Sequence, residues 1–312
     1  MSDEPVVILG AGGPVGLHLA RLMIDRGRRV RVVGRSEERM TAVFTGLGVE
    51  IAPADLSRTE DAARVMDGAS LAFVCVGMPV RDLGALPGVA RTIAEAAGRT
   101  GTRLVQVSNV WSYLPVRDAD LPLTEMHARA RGPQPARLRR EAEDILEQTG
   151  ACIAHLPDFY GPDVVNSPAQ KAMGDALKTR RVSWMGRRDL PRPYAYLPDA
   201  VRMVADLAAY PEAYGQRWLI PGNGDLTGRD LGWMCERSIG RAVAVYTYGR
   251  VKLTFAASMN ADLRDFLPMV PSYMKPMSFD TGKLEGLMGP QSLTPHEVSI
   301  KATLTWLAAR AV

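Results

Sequence analysis

The chain has 312 residues, enough for one large domain or two smaller ones, and its 46% hydrophobic and 23% charged residues are ordinary for a globular protein. A net charge of only +4, from 38 basic and 34 acidic residues scattered along the chain, argues against a nucleic-acid binder, and no apolar run is long enough to cross a membrane. Three dispersed cysteines, Cys75, Cys152 and Cys235, fit reduced thiols better than disulfides or a metal site; with an acidic start (MSDEP) unlike a signal peptide, the expectation is a cytoplasmic protein without a metal.

Through the first 160 residues an amphipathic stretch repeatedly ends near a glycine and a short, valine-rich run follows. LMIDRGRRVRVV, VMDGASLAFVCV, AAGRTGTRLVQV and LEQTGACIAHL all show it. Glycine suits the left-handed residue just past a helix, and the apolar runs have the length and composition of buried parallel strands. The spacing predicts strands near Val6–Gly10, Val30–Val33, Val49–Ala52, Leu71–Val76, Leu104–Val107 and Cys152–Leu156. Strands alternating with helices make an α/β, doubly wound parallel sheet of Rossmann type.

The first strand runs into GAGGPVGLHLARLM. Gly10, Gly13 and Gly16, with Pro14 and Val15, have the pattern of a dinucleotide loop: a tight turn, close backbone approach, and a pyrophosphate on the amides of a helix N-terminus. Three glycines alone are weak evidence, but here they close the first strand and open a helix. The second strand ends in VRVVGRSEER, with Gly34, Arg35 and Ser36 where an NAD site usually has an Asp or Glu. A guanidinium suits a ribose 2′-phosphate, so NADP(H) is favoured over NAD(H). Asp55, in PADLSR after the third strand, could accept from the adenine amino group or cap the next helix. Gly77, in CVGMP after the fourth, leaves room for a cofactor ribose.

The glycine turn, the pair Asp55-Leu56, LVQVSNVWSY at the fifth strand, the helix EAEDIL, HLPDFYGP at 155–162, PRPYAYLPDA at 191–200 and SFDTGKLEGLMG near the end together resemble the extended short-chain dehydrogenase/reductase superfamily, in particular its nucleoside-diphosphate-sugar epimerase/dehydratase branch. The resemblance implies a dinucleotide-binding domain over residues 1–160 with a return segment near 195–220, and a mainly substrate-binding domain over 161–312. It implies substrate between the domains, and a homodimer formed through helices at Val89–Ala97 and Leu138–Gln148.

The family's chemistry rests on Ser/Thr, Tyr and Lys, with Tyr and Lys four apart on one helix face. A glutamate often follows the lysine by four. Setting Glu143 there puts Arg139 at the lysine position and Pro135 at the tyrosine position. Setting the family's Tyr-Gly on Tyr113-Leu114 puts Asn109 at the Ser/Thr position, beside Ser108. Arg139 can hold ribose hydroxyls but keeps its proton, and proline has no proton to give. Atypical members of the superfamily lack the tyrosine and reduce activated double bonds or other electrophiles. The expected activity is therefore NADPH-dependent reduction of a small organic metabolite by an atypical site.

Candidate catalytic residues are Tyr113, Asn109, Ser108, Tyr160 and His127, and Asp158 is a further possible donor. Candidate substrate contacts are Arg192, where family members hold a diphosphate, with Asp158 and Tyr194. His155, on an apolar strand, reads as a core residue. Two other readings stay open: a nucleotide-sugar epimerase or dehydratase, and a non-catalytic dinucleotide sensor. The second half is rich in methionine and aromatic residues, which build either a small core or a pocket for a hydrophobic or aromatic molecule. FLPMVPSYMKPMSF, with three prolines, reads as a loop or cover without regular structure.

Overall fold

A computed structural model describes residues 4–129, 132–165 and 167–310. The chain runs β1 (Val6–Leu9), α1 (Pro14–Asp25), β2 (Val30–Gly34), α2 (Glu37–Phe44), β3 (Glu50–Pro53), α3 (Thr59–Met66), β4 (Leu71–Val74), α4 (Leu86–Thr100), β5 (Arg103–Asn109), α5 (Gln134–Glu147) and β6 (Cys152–Leu156). It continues through β7 (Asp158–Tyr160), α6 (Pro168–Thr179), β8 (Arg181–Met185), β9 (Arg192–Tyr196), α7 (Leu197–Leu207), β10 (Arg217–Leu219), β11 (Asp225–Leu226), α8 (Gly228–Ile239) and β12 (Ala244–Tyr248). The last part is helical: α9 (Arg250–Met259), α10 (Ala261–Phe266), α11 (Val270–Tyr273), α12 (Gly282–Met288) and α13 (His296–Arg310).

Among the described residues the largest sheet has seven strands in the order β10-β6-β5-β4-β1-β2-β3. Its strands β3, β2, β1, β4 and β5 run parallel, with Val6 opposite both Val30 and Leu71. The six strands expected from the valine-rich runs are all present. The chain leaves β1 toward β2 and β3 on one side and resumes at β4 on the other, so the sheet changes winding direction between β1 and β4. Open α/β sheets bind ligands at the carboxyl ends of the strands flanking such a switch.

The chain divides into two compact units: Met1–Ser112 with Ala136–His155 and Val201–Trp218, and Tyr113–Pro135 with Leu156–Ala200 and Leu219–Val312. Residues 113–135 and 156–160 go with the second unit, and Val201–Trp218 with the first. Apolar side chains of the sheet in the first unit pack with Ile93 and Ala97 of α4 and Ala142 and Leu146 of α5 in one core. Packing on the sheet thus accounts for part of the apolar stripes of α4 and α5. The second unit holds the sheets β11-β9-β7 and β12-β8, around a core of Tyr160, Met173, Trp184, Tyr194, Leu231 and Ile300.

One expectation is corrected. Within FLPMVPSYMKPMSF, Leu267–Met269 is a 3-10 turn and Val270–Tyr273 a helical turn. Pro268 and Pro271 fall in the opening positions of these turns, where a missing N–H costs no hydrogen bond.

Candidate active site

The glycine loop lies at the carboxyl end of β1, beside the end of β4. Gly10 has φ +82°, and a Cβ there would come within 2.9 Å of the Cys75 carbonyl carbon and oxygen. A Cβ on Gly16 would lie 2.6 Å from the Cα of Ala11. These two glycines are demanded by close backbone approach. Gly13 caps α1 with no side-chain acceptor, and Pro14 follows it. The amides of Val15 and Gly16, in the first turn of α1, have no intrahelical acceptor. A tight glycine turn and unclaimed helix amides fit a dinucleotide pyrophosphate. At Gly77 a Cβ would meet no atom within 4 Å, so packing does not require glycine there.

Arg35 follows β2 and is exposed. Its charge bears weakly on Asp55. Asp55 Oδ1 accepts from the Ser57 amide at 3.0 Å and its hydroxyl at 2.8 Å. These bonds, and more weakly Arg35 and Arg58, hold the carboxyl below its usual range. Asp55 thus fixes the turn ahead of α3, while Leu56 is buried in the core. Ser36 is the N-cap of α2, its hydroxyl accepting from the Arg39 amide at 3.3 Å. The Arg35 side chain has no hydrogen bond or ion pair among the described residues.

At the end of β5 the Asn109 side chain accepts from the Trp111 amide at 3.1 Å. The Arg139 guanidinium, on α5, stacks on the Trp111 ring with Cζ 5.2 Å from its centroid. One turn further along α5, buried Glu143 accepts from the Ser108 hydroxyl, and its other oxygen lies 3.1 Å from His155 Nε2. Burial pushes the Glu143 carboxyl up, but His155 and the hydroxyls of Ser108 and Ser112 outweigh it and bring it down to about 2. Ser108 is therefore a partner of a buried carboxylate rather than an exposed hydroxyl. His155, fully buried, is the core residue its strand suggested. Pro135 occupies the first turn of α5, compatible with its missing N–H.

Residues 10–152 match the family model described as NAD(P)H-binding. No curated protein matches the sequence. Among solved structures, gox2253 is 20% identical, with 98% of each chain covered and a TM-score of 0.81. The UDP-glucuronic acid 4-epimerase of Bacillus cereus, solved with UDP-glucuronic acid and NAD, is 12% identical over 98% of this chain and 99% of that one, with a TM-score of 0.80. The dTDP-glucose 4,6-dehydratase of Bacillus anthracis str. Ames, solved with NAD, is 12% identical over 98% and 97%, with a TM-score of 0.79. The chain shares the fold of these structures, and its residues 10–152 carry the NAD(P)H-binding match. Pro135, Arg139 and Asn109 stand where the resemblance read from the sequence implies Tyr, Lys and Ser/Thr.

The candidates in the second unit are held by their own surroundings. Tyr113 is buried and its hydroxyl lies 3.5 Å from the Glu125 carbonyl. Nδ1 of His127 accepts from the Thr124 amide at 3.0 Å, which leaves Nε2 as the protonated nitrogen donating to the Asp120 carbonyl at 2.6 Å. Both ring nitrogens thus clamp a loop. Tyr160 is fully buried, its hydroxyl 2.7 Å from His296 Nδ1 and 2.6 Å from Ser299 Oγ; burial pushes it up well beyond the ordinary phenol range. It too is a core tie rather than an available acid.

Arg192, expected to meet a substrate diphosphate, is buried. Its Nη1 donates at 2.8 Å to each of the carbonyls of Ser272 and Lys275, and its guanidinium lies over the Tyr273 ring at 4.9 Å. Tyr194 is buried against Trp184, ring centroids 5.8 Å apart. Asp158 remains partly accessible; Tyr273 donates to its Oδ1 at 2.9 Å, and burial raises its carboxyl above the usual range despite Arg192 and that hydrogen bond. Among the described residues no cluster of His, Cys, Asp and Glu could hold a metal ion, and no helix is long and apolar enough to cross a membrane.

Trp111 was not legible as part of the site. An aromatic residue two positions after Asn109 was the available signal, but its partner lies on a different element.

Proposed function

We propose that this chain is an NADPH-dependent reductase of a small hydrophobic or aromatic metabolite. The observation that carries the reading is Arg35: an exposed guanidinium directly after β2, with no acidic residue at 34–36 and no hydrogen bond or ion pair among the described residues. A 2′-phosphate supplies the bidentate anionic partner that the group lacks. The amides of Val15 and Gly16 would hold the pyrophosphate, and Arg139 the nicotinamide ribose. When bound, NADPH supplies the hydride. Arg139 binds and orients; it keeps its proton, and Pro135 has none, so the proton comes from water or from a carboxyl such as Asp158.

Two observations support an uncharged, apolar substrate over a nucleotide sugar. The guanidinium of Arg192 is already taken by two carbonyls and an aromatic ring. Val251, Phe255 and Met259 of α9 are also exposed at helical spacing, along a shallow surface depression lined by Arg250, Val251, Thr254, Phe255 and Ser258.

The test is consumption of NADPH, followed by nicotinamide absorbance and product analysis, across a panel of aromatic ketones, enones and UDP- and dTDP-sugars. Stoichiometric reduction of an apolar compound is expected. Turnover of a nucleotide sugar with copurified, non-exchanging NAD would overturn the reading. Tight NADPH binding without turnover of any compound would favour the sensor, a reading to which Pro135 lends weight.

A further inference from the structure

Arg35 and Arg58 follow neighbouring strands. Gly34, the last residue of β2, lies opposite Pro53, the last of β3, and the Ala54 amide donates to the Gly34 carbonyl at 3.1 Å. Arg35 comes directly after β2. After β3 the chain turns through Asp55 and Ser57, and the Arg58 amide donates to the Asp55 carbonyl at 3.0 Å. Arg58 then stands at the N-cap of α3 with no side-chain bond to the helix amides. That position favours Ser, Thr, Asp or Asn, and a cation there opposes the helix dipole. Arg58 is exposed, and its side chain has no hydrogen bond or ion pair among the described residues. The acidic groups in the first turn of α3 face other cations: Asp61 faces Arg64 at 3.7 Å and Glu60 faces Arg99 at 3.5 Å. A residue that breaks a local rule without a structural gain marks a candidate functional position.

We propose that Arg58 is the second cation of the 2′-phosphate subsite and, with Arg35, sets the preference for NADPH over NADH. The proposal rests on the cofactor reading above and deepens it. Its physical basis is a balance of charge. A phosphate monoester carries close to two negative charges at neutral pH. Asp55, whose carboxyl is held ionised by the Ser57 amide and hydroxyl, feels both guanidinium groups and offsets one of them. Arg35 alone would leave that corner of the sheet with no net charge to meet a dianion. Arg58 gives it a positive excess. NADH has a hydroxyl at the same place and gains nothing from the second cation.

The test is calorimetric titration of NADPH and NADH, at fixed ionic strength, into the wild-type protein, Arg35→Ala, Arg58→Ser, Arg58→Lys and Arg241→Ala, with melting temperatures alongside. Arg241 is an exposed arginine of the second unit, so its variant carries the same loss of net charge. At pH 7, Arg58→Ser should weaken NADPH about fivefold, the scale of one exposed ion pair, and leave NADH within about twofold. Its new cap acceptor should keep or raise the melting temperature. Arg58→Lys, which keeps the charge, should stay within about twofold of wild type for NADPH. At pH 5, where the phosphate has shed most of its second charge, the Arg58→Ser loss should shrink toward that of Arg241→Ala. Equal losses of NADPH and NADH in Arg58→Ser, or an NADPH loss no larger than in Arg241→Ala, would overturn the proposal. A wild-type chain that binds NADH as well as NADPH, or binds neither, would overturn the 2′-phosphate reading itself. A wild-type preference for NADPH that Arg35→Ala removes and Arg58→Ser leaves intact would overturn only the role of Arg58.

Discussion

The two units treat their polar side chains in opposite ways. In the second, Arg192, His127 and Tyr160 each spend their hydrogen-bonding groups on neighbours in the same unit: carbonyls at 272 and 275, a loop carbonyl and amide, and a histidine–serine pair. In the first unit the glycine loop and the turn after β2 do the reverse. Its glycine turn has claimed no side-chain cap for α1, and Arg35 stands exposed with no hydrogen bond or ion pair among the described residues. Buried polar groups must be satisfied within the protein to avoid a desolvation cost; a binding group must be left unsatisfied until its ligand arrives. A motif match alone does not separate a side chain spent on its neighbours from one left for a ligand.

Substitutions can break this contrast. The largest effect is expected from Gly16→Val, whose Cβ would lie 2.6 Å from backbone: dinucleotide affinity should fall at least about a hundredfold, on the order of 3 kcal/mol, as measured by calorimetry. Retained affinity would mean that the loop is not the binding element.

Glu143→Gln comes next. Removing one charge from a buried, hydrogen-bonded pair costs about 3 kcal/mol, read by denaturant unfolding. Glu143 also sets an acid dependence. Its carboxyl is held down to about 2 in the folded protein, below its unfolded value of about 4.3. Its contribution is therefore complete above the unfolded value and is lost as pH falls toward 2. The variant should lose that component; an unchanged acid limb would show that Glu143 is not the ionised centre of the network.

Tyr160→Phe should cost about 1–2 kcal/mol of stability by stranding His296 and Ser299, while dinucleotide affinity and any turnover persist. Lost turnover in a folded Tyr160→Phe variant would make the tyrosine an acid after all. The smallest effect is expected from His127→Ala, about 1 kcal/mol or less for a half-buried loop clamp, with cofactor affinity unaltered.

Much of this contrast could not be read before folding. The strands of the large sheet were visible because valine-rich runs of four to seven residues between glycines admit few alternatives, and the glycine turn because its position after β1 supplies its meaning. Pro135 was visible because a proline excludes a hydroxyl whatever surrounds it. Arg192 was visible as a motif, but its partners lie 80 and 83 positions away, and a linear pattern carries no sign of them. The helical turns at Leu267–Tyr273 were hidden by prolines, which break helices in their interiors and begin them at their first residues. The Trp111–Arg139 stack joins the end of a strand to a later helix, a distance that periodicity does not bridge.

The most direct test is titration of wild-type protein and Arg35→Ala with NADPH and NADH at fixed ionic strength. Wild type should prefer NADPH, and Arg35→Ala should lose about tenfold to a hundredfold for NADPH, the worth of a charge-assisted contact, while NADH changes by less than about twofold. Equal losses for the two cofactors, or a wild-type preference for NADH, would contradict the assignment of Arg35 to the 2′-phosphate and with it the NADPH-dependent reading.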